Sequence, residues 1–155
     1  MFLDEMILNR TADLTDTTSA EDNALVKSDI TESQMCVKAV MEIQSANGDM
    51  GVDAKILDFS AGKGYIGKSL QEQGFTDVYG QEGSESKKKT LMAKGIYQGI
   101  ETFIVGKQRI PNNYRRAFDF VTCSCSLGTN LLPAGSFEAM LAATKPGGYV
   151  VFTVP

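Results

Sequence analysis

From residue 54 to residue 154 the chain alternates between short apolar runs and segments whose apolar residues recur at helical spacing. The apolar runs predict strands at 54–59, 77–80, 102–105, 118–123 and 149–154, and the segments between them predict helices at 65–73, 84–94 and 136–144. Repeated strand–helix units with short links are typical of a parallel sheet that carries helices on both faces. The sequence therefore predicts an α/β fold with a doubly wound, mostly parallel sheet.

The first 50 residues differ from the rest in charge and in glycine content. They hold ten acidic residues, three basic residues and one glycine, whereas residues 51–155 hold nine acidic residues, twelve basic residues and fourteen glycines. The polar, acidic stretch predicts a flexible arm over 1–30. Apolar residues at helical spacing, with Thr31 and Gln34 as a capping box, predict a leading helix over 32–46. We therefore expect one domain at 31–155, whose sheet-bearing core spans 52–155.

The composition excludes several classes of function. The chain has 155 residues, which suits one domain, and it contains no histidine, so it can form neither a histidine-dependent nucleophile nor a histidine-ligated metal site. Its three cysteines lack the spacing of a zinc site, and we expect no metal. The chain shows no apolar run of about 20 residues and no secretory leader, so we expect a cytoplasmic protein without a membrane segment.

A glycine-rich turn follows the first predicted strand and allows two readings. Gly62, Gly64 and Gly67 match the G-x-G-x-x-G pattern of dinucleotide-binding proteins, and Glu82 at the end of the second strand could bind a ribose. However, Asp58 ends the first strand, and its carboxylate would repel a pyrophosphate at the start of the next helix. A cofactor with an ammonium and a sulfonium group, such as S-adenosylmethionine, would be attracted instead. The charge pattern favours the methyl donor over NAD.

Four segments together resemble the class I S-adenosylmethionine-dependent methyltransferases. Residues 58–64 resemble motif I, with Ser60 in place of its first glycine; residues 78–84 resemble motif II; residues 118–121 resemble the strand of motif IV; and residues 145–148 resemble the K-P-G-G turn before the fifth strand. Residues 93–97 and 118–154 are similar to one subgroup, the Williams–Beuren syndrome region methyltransferase-like proteins. The resemblance implies a Rossmann-like sheet with strand order 3-2-1-4-5, in which the family's terminal strands 6 and 7 are absent.

The resemblance also implies which residues bind S-adenosylmethionine. Asp58 and the backbone around the glycine-rich turn would hold the methionine part, Glu82 would accept hydrogen bonds from the ribose hydroxyls, and Gly83 would lie against the adenine. Lys107 lies in the segment that contacts the adenine in many members, and Cys123 and Ser124 would border the transferring methyl group. The full set of expected cofactor-binding residues is Asp58, Ser60, Ala61, Gly62, Gly64, Glu82, Gly83, Lys107, Cys123 and Ser124.

Other side chains have a structural and a functional interpretation. Cys123 and Cys125, two residues apart on a strand, are expected to be small core hydrophobes rather than reactive thiols. Ser124, Ser126 and Asn130 are candidates for hydrogen bonds to a substrate. The lysine run 87–89 is typical of a solvated helix face, and the net charge of −4 argues against a nucleic-acid substrate.

These observations leave two functional hypotheses. The first is a methyltransferase that acts on an unidentified small-molecule or protein acceptor. The second is a catalytically inactive cofactor-binding or interaction module derived from the same fold, because the family's acidic adenine contact is missing and the chain stops after the fifth strand. In the expected strand order that apolar strand is an open edge, which predicts self-association.

Overall fold

The computed structural model describes residues 20–105, 107–124 and 135–153. The elements within these ranges are, in chain order, α1 (Ala20–Ala46), β1 (Ile56–Phe59), α2 (Tyr65–Glu72), β2 (Val78–Gln81), α3 (Glu85–Ala93), β3 (Gly99–Glu101), a 3-10 turn (Asn112–Tyr114), β4 (Phe118–Cys123), α4 (Ser136–Ala143) and β5 (Thr144–Phe152). In these ranges no helix is both long and apolar enough to cross a membrane.

The strands of the described residues form one parallel sheet with the order β3-β2-β1-β4-β5. The predicted α/β class, doubly wound sheet and strand order are confirmed. Because β1 pairs with β2 on one side and β4 on the other, the chain direction through the sheet reverses at β1. The carboxyl ends of strands beside such a reversal point border the crevice in which α/β proteins bind their ligands.

Helices cover both faces of the sheet, and β1 is therefore buried on both sides. Ile56 belongs to a core cluster that includes residues of α1, α2 and α3, whereas Leu57 and Phe59 belong to a second cluster with residues of β4 and α4. Side chains alternate along a strand, so Asp58 shares the face of Ile56 and lies under α1 and α2. The alternation therefore places the Asp58 carboxylate on the face of the sheet that α1 and α2 cover.

The leading helix is longer than predicted, since α1 begins at Ala20 rather than at residue 32. Residues 20–30, which the sequence predicts to be part of a flexible arm, are helical, while residues 1–19 lie outside the described residues. Thr31 does not cap the helix, because its hydroxyl donates to the Lys27 carbonyl within it. The polar first half is held by polar contacts, such as Thr153 donating to Glu32 at 3.1 Å, which apolar periodicity does not reveal.

Two strand predictions were wrong in their bounds, while the predicted elements other than these and the leading helix begin and end within two residues of the prediction. The third strand is Gly99–Glu101, and residues 102–105 form the loop after it, where Phe103 is buried in the core although it lies outside the ladder. The fifth strand begins at Thr144, five residues early. Its pairing jumps from Thr144 to Tyr149, so residues 145–148 bulge out of the ladder instead of preceding the strand.

The docking of α1 onto the sheet can be tested at Val40, which is fully buried in the first core cluster. We expect Val40→Ala to lower the free energy of unfolding by about 2 kcal/mol, because it removes two buried methyl groups and leaves a cavity. Urea unfolding measures the change. Lys38→Ala, at a largely exposed position on the same helix, should change it by less than about 0.5 kcal/mol. An equal loss in both variants would contradict the packing of α1.

Candidate functional site

A cavity of about 620 Å³ opens at the carboxyl ends of β1, β2 and β4. Its floor is the end of β1 and the glycine-rich loop, and its walls come from the segment after β2, the first turns of α3, the loop after β3 and the middle of α1. Seven of the predicted cofactor-binding residues line it: Asp58, Ser60, Ala61, Gly62, Glu82, Gly83 and Ser124. The fold therefore brings together residues that are up to 66 positions apart in the sequence.

The glycine-rich loop turns sharply because three of its residues adopt left-handed backbone conformations. Ser60, Gly62 and Gly64 have φ values of 58°, 56° and 83°. Ser60 is the costly member, because a side chain disfavours this region. Its N–H donates to the Gln81 side-chain oxygen at 2.9 Å, which helps to hold the conformation.

Gln81 joins two loops of the site, a role that the sequence analysis missed. Its side-chain oxygen accepts from the Ser60 N–H, and its amide nitrogen donates to the Phe103 carbonyl at 2.9 Å. The side chain is 2% exposed, so both hydrogen bonds are shielded from water. The glycine-rich loop and the loop after β3 are thereby held at a fixed separation. A glutamine at a strand end is too common for its spacing alone to have revealed this.

The hydrogen bonds of the loop's N–H groups distinguish between the two candidate ligands, a dinucleotide and S-adenosylmethionine. The N–H of Ala61 donates to the Gln81 carbonyl at 2.9 Å, that of Gly62 to the Glu82 carboxylate at 3.1 Å and that of Gly64 to the Ala61 carbonyl at 2.8 Å. A dinucleotide site presents such groups to a pyrophosphate. Because these donors already have acceptors within the protein, the geometry favours a ligand without phosphates.

Asp58 belongs to β1, and its buried carboxylate lies next to the first turn of α2, where it takes the place of an N-cap side chain. Gly64, the N-cap residue, has no side chain, and the Asp58 carboxylate accepts the N–H of Gly67 in the first turn. It also accepts a hydrogen bond of 2.5 Å from the Tyr97 hydroxyl. Burial raises the pKa of Asp58 to about 7, against the lowering effect of these two donors and with a further rise from the Glu82 charge. A cationic group in the cavity would favour the ionised form.

Glu82 presents its carboxylate to the cavity from the end of β2. One oxygen accepts the Gly62 N–H and the other the Ser84 N–H, both at 3.1 Å. A carboxylate offers about four acceptor positions, so each oxygen can accept one further hydrogen bond. Two oxygens held side by side in this way match the two adjacent hydroxyls of a ribose.

Three predicted residues lie away from the cavity. Gly64 is buried beneath the loop, and a Cβ there would lie 3.0 Å from Leu91. Cys123 is fully buried in the second core cluster, so its side chain points to the core rather than to the site, in agreement with its interpretation as a small hydrophobe. Lys107 is exposed on the loop after β3. Cys125, Ser126 and Asn130 lie outside the described residues.

The middle of α1 also lines the cavity, which the sequence pattern did not predict. Asp29 and Ser33 line the cavity, and the Ser33 hydroxyl lies 3.3 Å from that of Ser124. Partial burial, and then the charge of Asp29, raise the pKa of Tyr65, which lines the same cavity. Asp29 lay in the predicted arm, so nothing in the sequence pattern placed its carboxylate at a strand end.

Two further groups complete the cavity wall. Phe103, Ile104 and Val105 supply an apolar side. Lys87, predicted on a solvated helix face, is exposed and stands at the rim. Among the described residues, no group of three or more Cys, Asp or Glu side chains is arranged to hold a metal ion.

The sheet order, the glycine-rich loop after β1 and the acidic residue after β2 define a class I methyltransferase fold. A family model described as "Methyltransferase domain" matches residues 31–155, and the chain belongs to this family. It is 31% identical over 100 residues to the human methyltransferase-like protein 27, a match that covers 64% of this chain and 40% of that protein.

Solved structures agree with this assignment. A S-adenosylmethionine-dependent methyltransferase from Mesorhizobium loti is 28% identical, with a TM-score of 0.51 and coverage of 64% of this chain and 45% of that one. The fold is shared with the glycopeptide N-methyltransferase MtfA in complex with S-adenosyl-L-methionine, at 16% identity and a TM-score of 0.55, over 75% of this chain and 53% of that one. The chain thus spans less than half the length of the first of these relatives.

The pKa of Asp58 predicts an unusual pH dependence of stability. Folding raises this pKa from 3.8 to about 7, so the folded state binds more protons between these values, and stability falls as the pH rises through this window. Each pKa unit corresponds to about 1.4 kcal/mol. Urea unfolding from pH 4 to 8 should show a flatter profile for Asp58→Asn than for the unchanged protein. Asp53→Asn, at an exposed aspartate, should keep the original slope.

Proposed function

We propose that this chain binds S-adenosylmethionine and transfers its methyl group to a small-molecule or protein acceptor. The observation that carries the proposal is the pair of buried carboxylates, Asp58 and Glu82, which face one cavity from the ends of neighbouring strands. A volume of about 620 Å³ falls within the usual range for cofactor sites. The cofactor carries an ammonium, a sulfonium and a ribose diol, and no phosphate.

Each part of the cofactor has a suitable group in the cavity. Glu82 would accept both ribose hydroxyls, and Asp58 would attract the ammonium of the methionine part, which the backbone around Ser60, Ala61 and Gly62 would surround. Gly83 and the apolar side formed by Phe103, Ile104 and Val105 would enclose the adenine. No carboxylate stands on the segment after β3 in this sequence, so shape and apolar contact would carry adenine recognition there.

Methyl transfer depends on alignment more than on acid–base groups, which suits a chain without histidine. When bound, S-adenosylmethionine supplies an electrophilic methyl group on its sulfonium sulfur. The protein's part is to hold the acceptor nucleophile in line with the breaking carbon–sulfur bond. Ser124 at the end of β4 and Ser33 on α1 meet at 3.3 Å on the cavity wall and would position the acceptor.

The proposal predicts that the protein binds S-adenosylmethionine and not NAD. Isothermal titration calorimetry with each compound separates the two readings. Asp58→Ala and Glu82→Ala should each weaken binding of S-adenosylmethionine by at least about tenfold, because each removes a charged partner of the ligand. Glu42→Ala, at an exposed position on α1, is the matched control and should bind normally.

Two outcomes of this titration bear on the competing hypotheses. Unchanged affinity in both cavity variants would contradict the site. Binding without methyl transfer to any member of a broad acceptor panel would support the inactive-module hypothesis.

We also propose that the edge of β5 associates with a second copy of the chain. In the described part of the sheet β5 pairs with β4 alone, so its other edge offers free backbone groups. Three large hydrophobic side chains of β5 and of the preceding helix α4 are exposed: Phe152 on β5, and Phe137 and Leu141 on α4. The Phe137 and Phe152 rings meet edge to face at 5.6 Å and form a joint apolar surface.

Sedimentation velocity tests this association. We expect the sedimentation coefficient to rise with protein concentration, and Phe152→Lys to abolish the rise by placing a charge on the edge. Met92→Lys, at an exposed methionine on α3, should leave the rise intact. A strictly monomeric protein at all concentrations would refute the proposal.

The remaining expectations stay predictions. The cytoplasmic location and the exclusion of nucleic acid as substrate rest on the sequence, and the acceptor is unidentified.

A further inference from the structure

Tyr97 lies behind the cavity, in the turn between α3 and β3, and its ring packs between α2 and β2. A glycine makes room for the ring. A Cβ at Gly67 would lie 2.4 Å from the ring, a distance that real contacts do not reach, whereas a Cβ at Gly80 would be in ordinary van der Waals contact with it at 3.5 Å. Gly67 has no positive φ, so the close approach of Tyr97, rather than backbone conformation, accounts for glycine at this position.

The ring places its hydroxyl on the Asp58 carboxylate. The hydroxyl donates to Asp58 Oδ2 at 2.5 Å, with Tyr97 at 7% and Asp58 at 2% exposure. Burial, and then the charge of Asp58, raise the pKa of Tyr97, so the hydroxyl keeps its proton and remains a donor. The Gly67 N–H donates to the same carboxylate. Asp58 is thus held from two sides, and its remaining acceptor positions can face the cavity.

We propose that Tyr97 is a positioning residue of the cofactor site, which holds the Asp58 carboxylate in place and in its charged form for the cationic end of the ligand. This inference rests on the proposed function. Tyr97 itself does not line the cavity, so it acts through Asp58. A donor hydrogen bond stabilises a carboxylate relative to the neutral acid, and in a buried setting its loss leaves the acid favoured.

Several charged groups surround the same cavity and set the background for this effect. Glu82 after β2 disfavours the Asp58 charge. The other charged side chains that line the cavity are Asp29 on α1, Lys63 in the glycine-rich loop, and Lys87 and Lys94 on and after α3. The Lys94 ammonium donates to the Lys63 carbonyl at 2.8 Å. Tyr97 differs from all of these because it touches Asp58 directly without adding a charge.

The test is Tyr97→Phe, which removes the hydroxyl and keeps the ring. Calorimetry with S-adenosylmethionine from pH 6 to about pH 7.5, below the range in which an α-amino group loses its proton, should show that the unchanged protein binds more tightly as the pH rises to about 7. In Tyr97→Phe we expect binding at pH 7 to be about tenfold weaker, with the rise displaced to higher pH. Wild-type affinity with an unshifted pH profile would overturn the proposal.

Two comparisons separate positioning from a loss of packing. Tyr149→Phe also removes a hydrogen-bonded hydroxyl, which contacts Asn47 at 3.0 Å outside the cavity, and should leave affinity and its pH profile unchanged. In an Asp58→Asn background, Tyr97→Phe should have no further effect on affinity, because the residue acts through that carboxylate. A full tenfold loss in that background would show that Tyr97 acts by another route.

A readout without ligand keeps this inference distinct from the proposed function. The pKa of Asp58 in the free protein, followed by nuclear magnetic resonance of its side-chain carbon, should be higher in Tyr97→Phe than in the unchanged protein. If the unchanged protein binds no S-adenosylmethionine, the proposed function fails. If it binds but the Asp58 pKa and the affinity profile are the same in both proteins, the role of Tyr97 fails.

Discussion

A carboxylate buried at the end of the central strand is the constraint around which the site is built. Among the described residues no cationic side chain contacts Asp58, whose carboxylate depends on the Tyr97 hydroxyl and the N–H of Gly67. Burial of a charge without such donors would cost several kcal/mol. Glycine at position 67 is a consequence, because a Cβ there would overlap the ring that brings the hydroxyl to the carboxylate.

Gln81 and Glu82, which are adjacent at the end of β2, have different roles. Gln81 points inward and joins the glycine-rich loop to the loop after β3, whereas Glu82 accepts a hydrogen bond from the glycine-rich loop and faces the cavity. Both side chains take up backbone donors of the loop. The same hydrogen bonds therefore shape the loop, remove the donors that a pyrophosphate would require, and leave carboxylate oxygens for hydroxyl groups.

Site residues positioned by local patterns were predictable from the sequence, whereas those positioned by contacts between distant segments were not. Asp58 and Glu82 were predictable, because a parallel sheet places strand ends on one edge and both residues directly follow apolar runs. Asp29 and Ser33 were not, because they reach the cavity through a helix whose first half is held by contacts with the ends of distant strands. Residues 102–105 look like a strand by composition, yet pairing with β2 is satisfied three residues earlier, and Phe103 is buried from a loop.

The sequence by itself determined the α/β class, the order of the elements and the acidic ends of two neighbouring strands, since local apolar patterning and the motifs encode these. Only the tertiary structure decided which of the candidate residues face the cavity. Cys123 turned to the core and Gly64 lies beneath the loop, because the alternation of side chains and the packing of α3 set their directions. Tyr97 also became a partner of Asp58 only in the folded chain: 39 residues separate the two in the sequence, and the absence of a side chain at Gly67 leaves space for the ring between them.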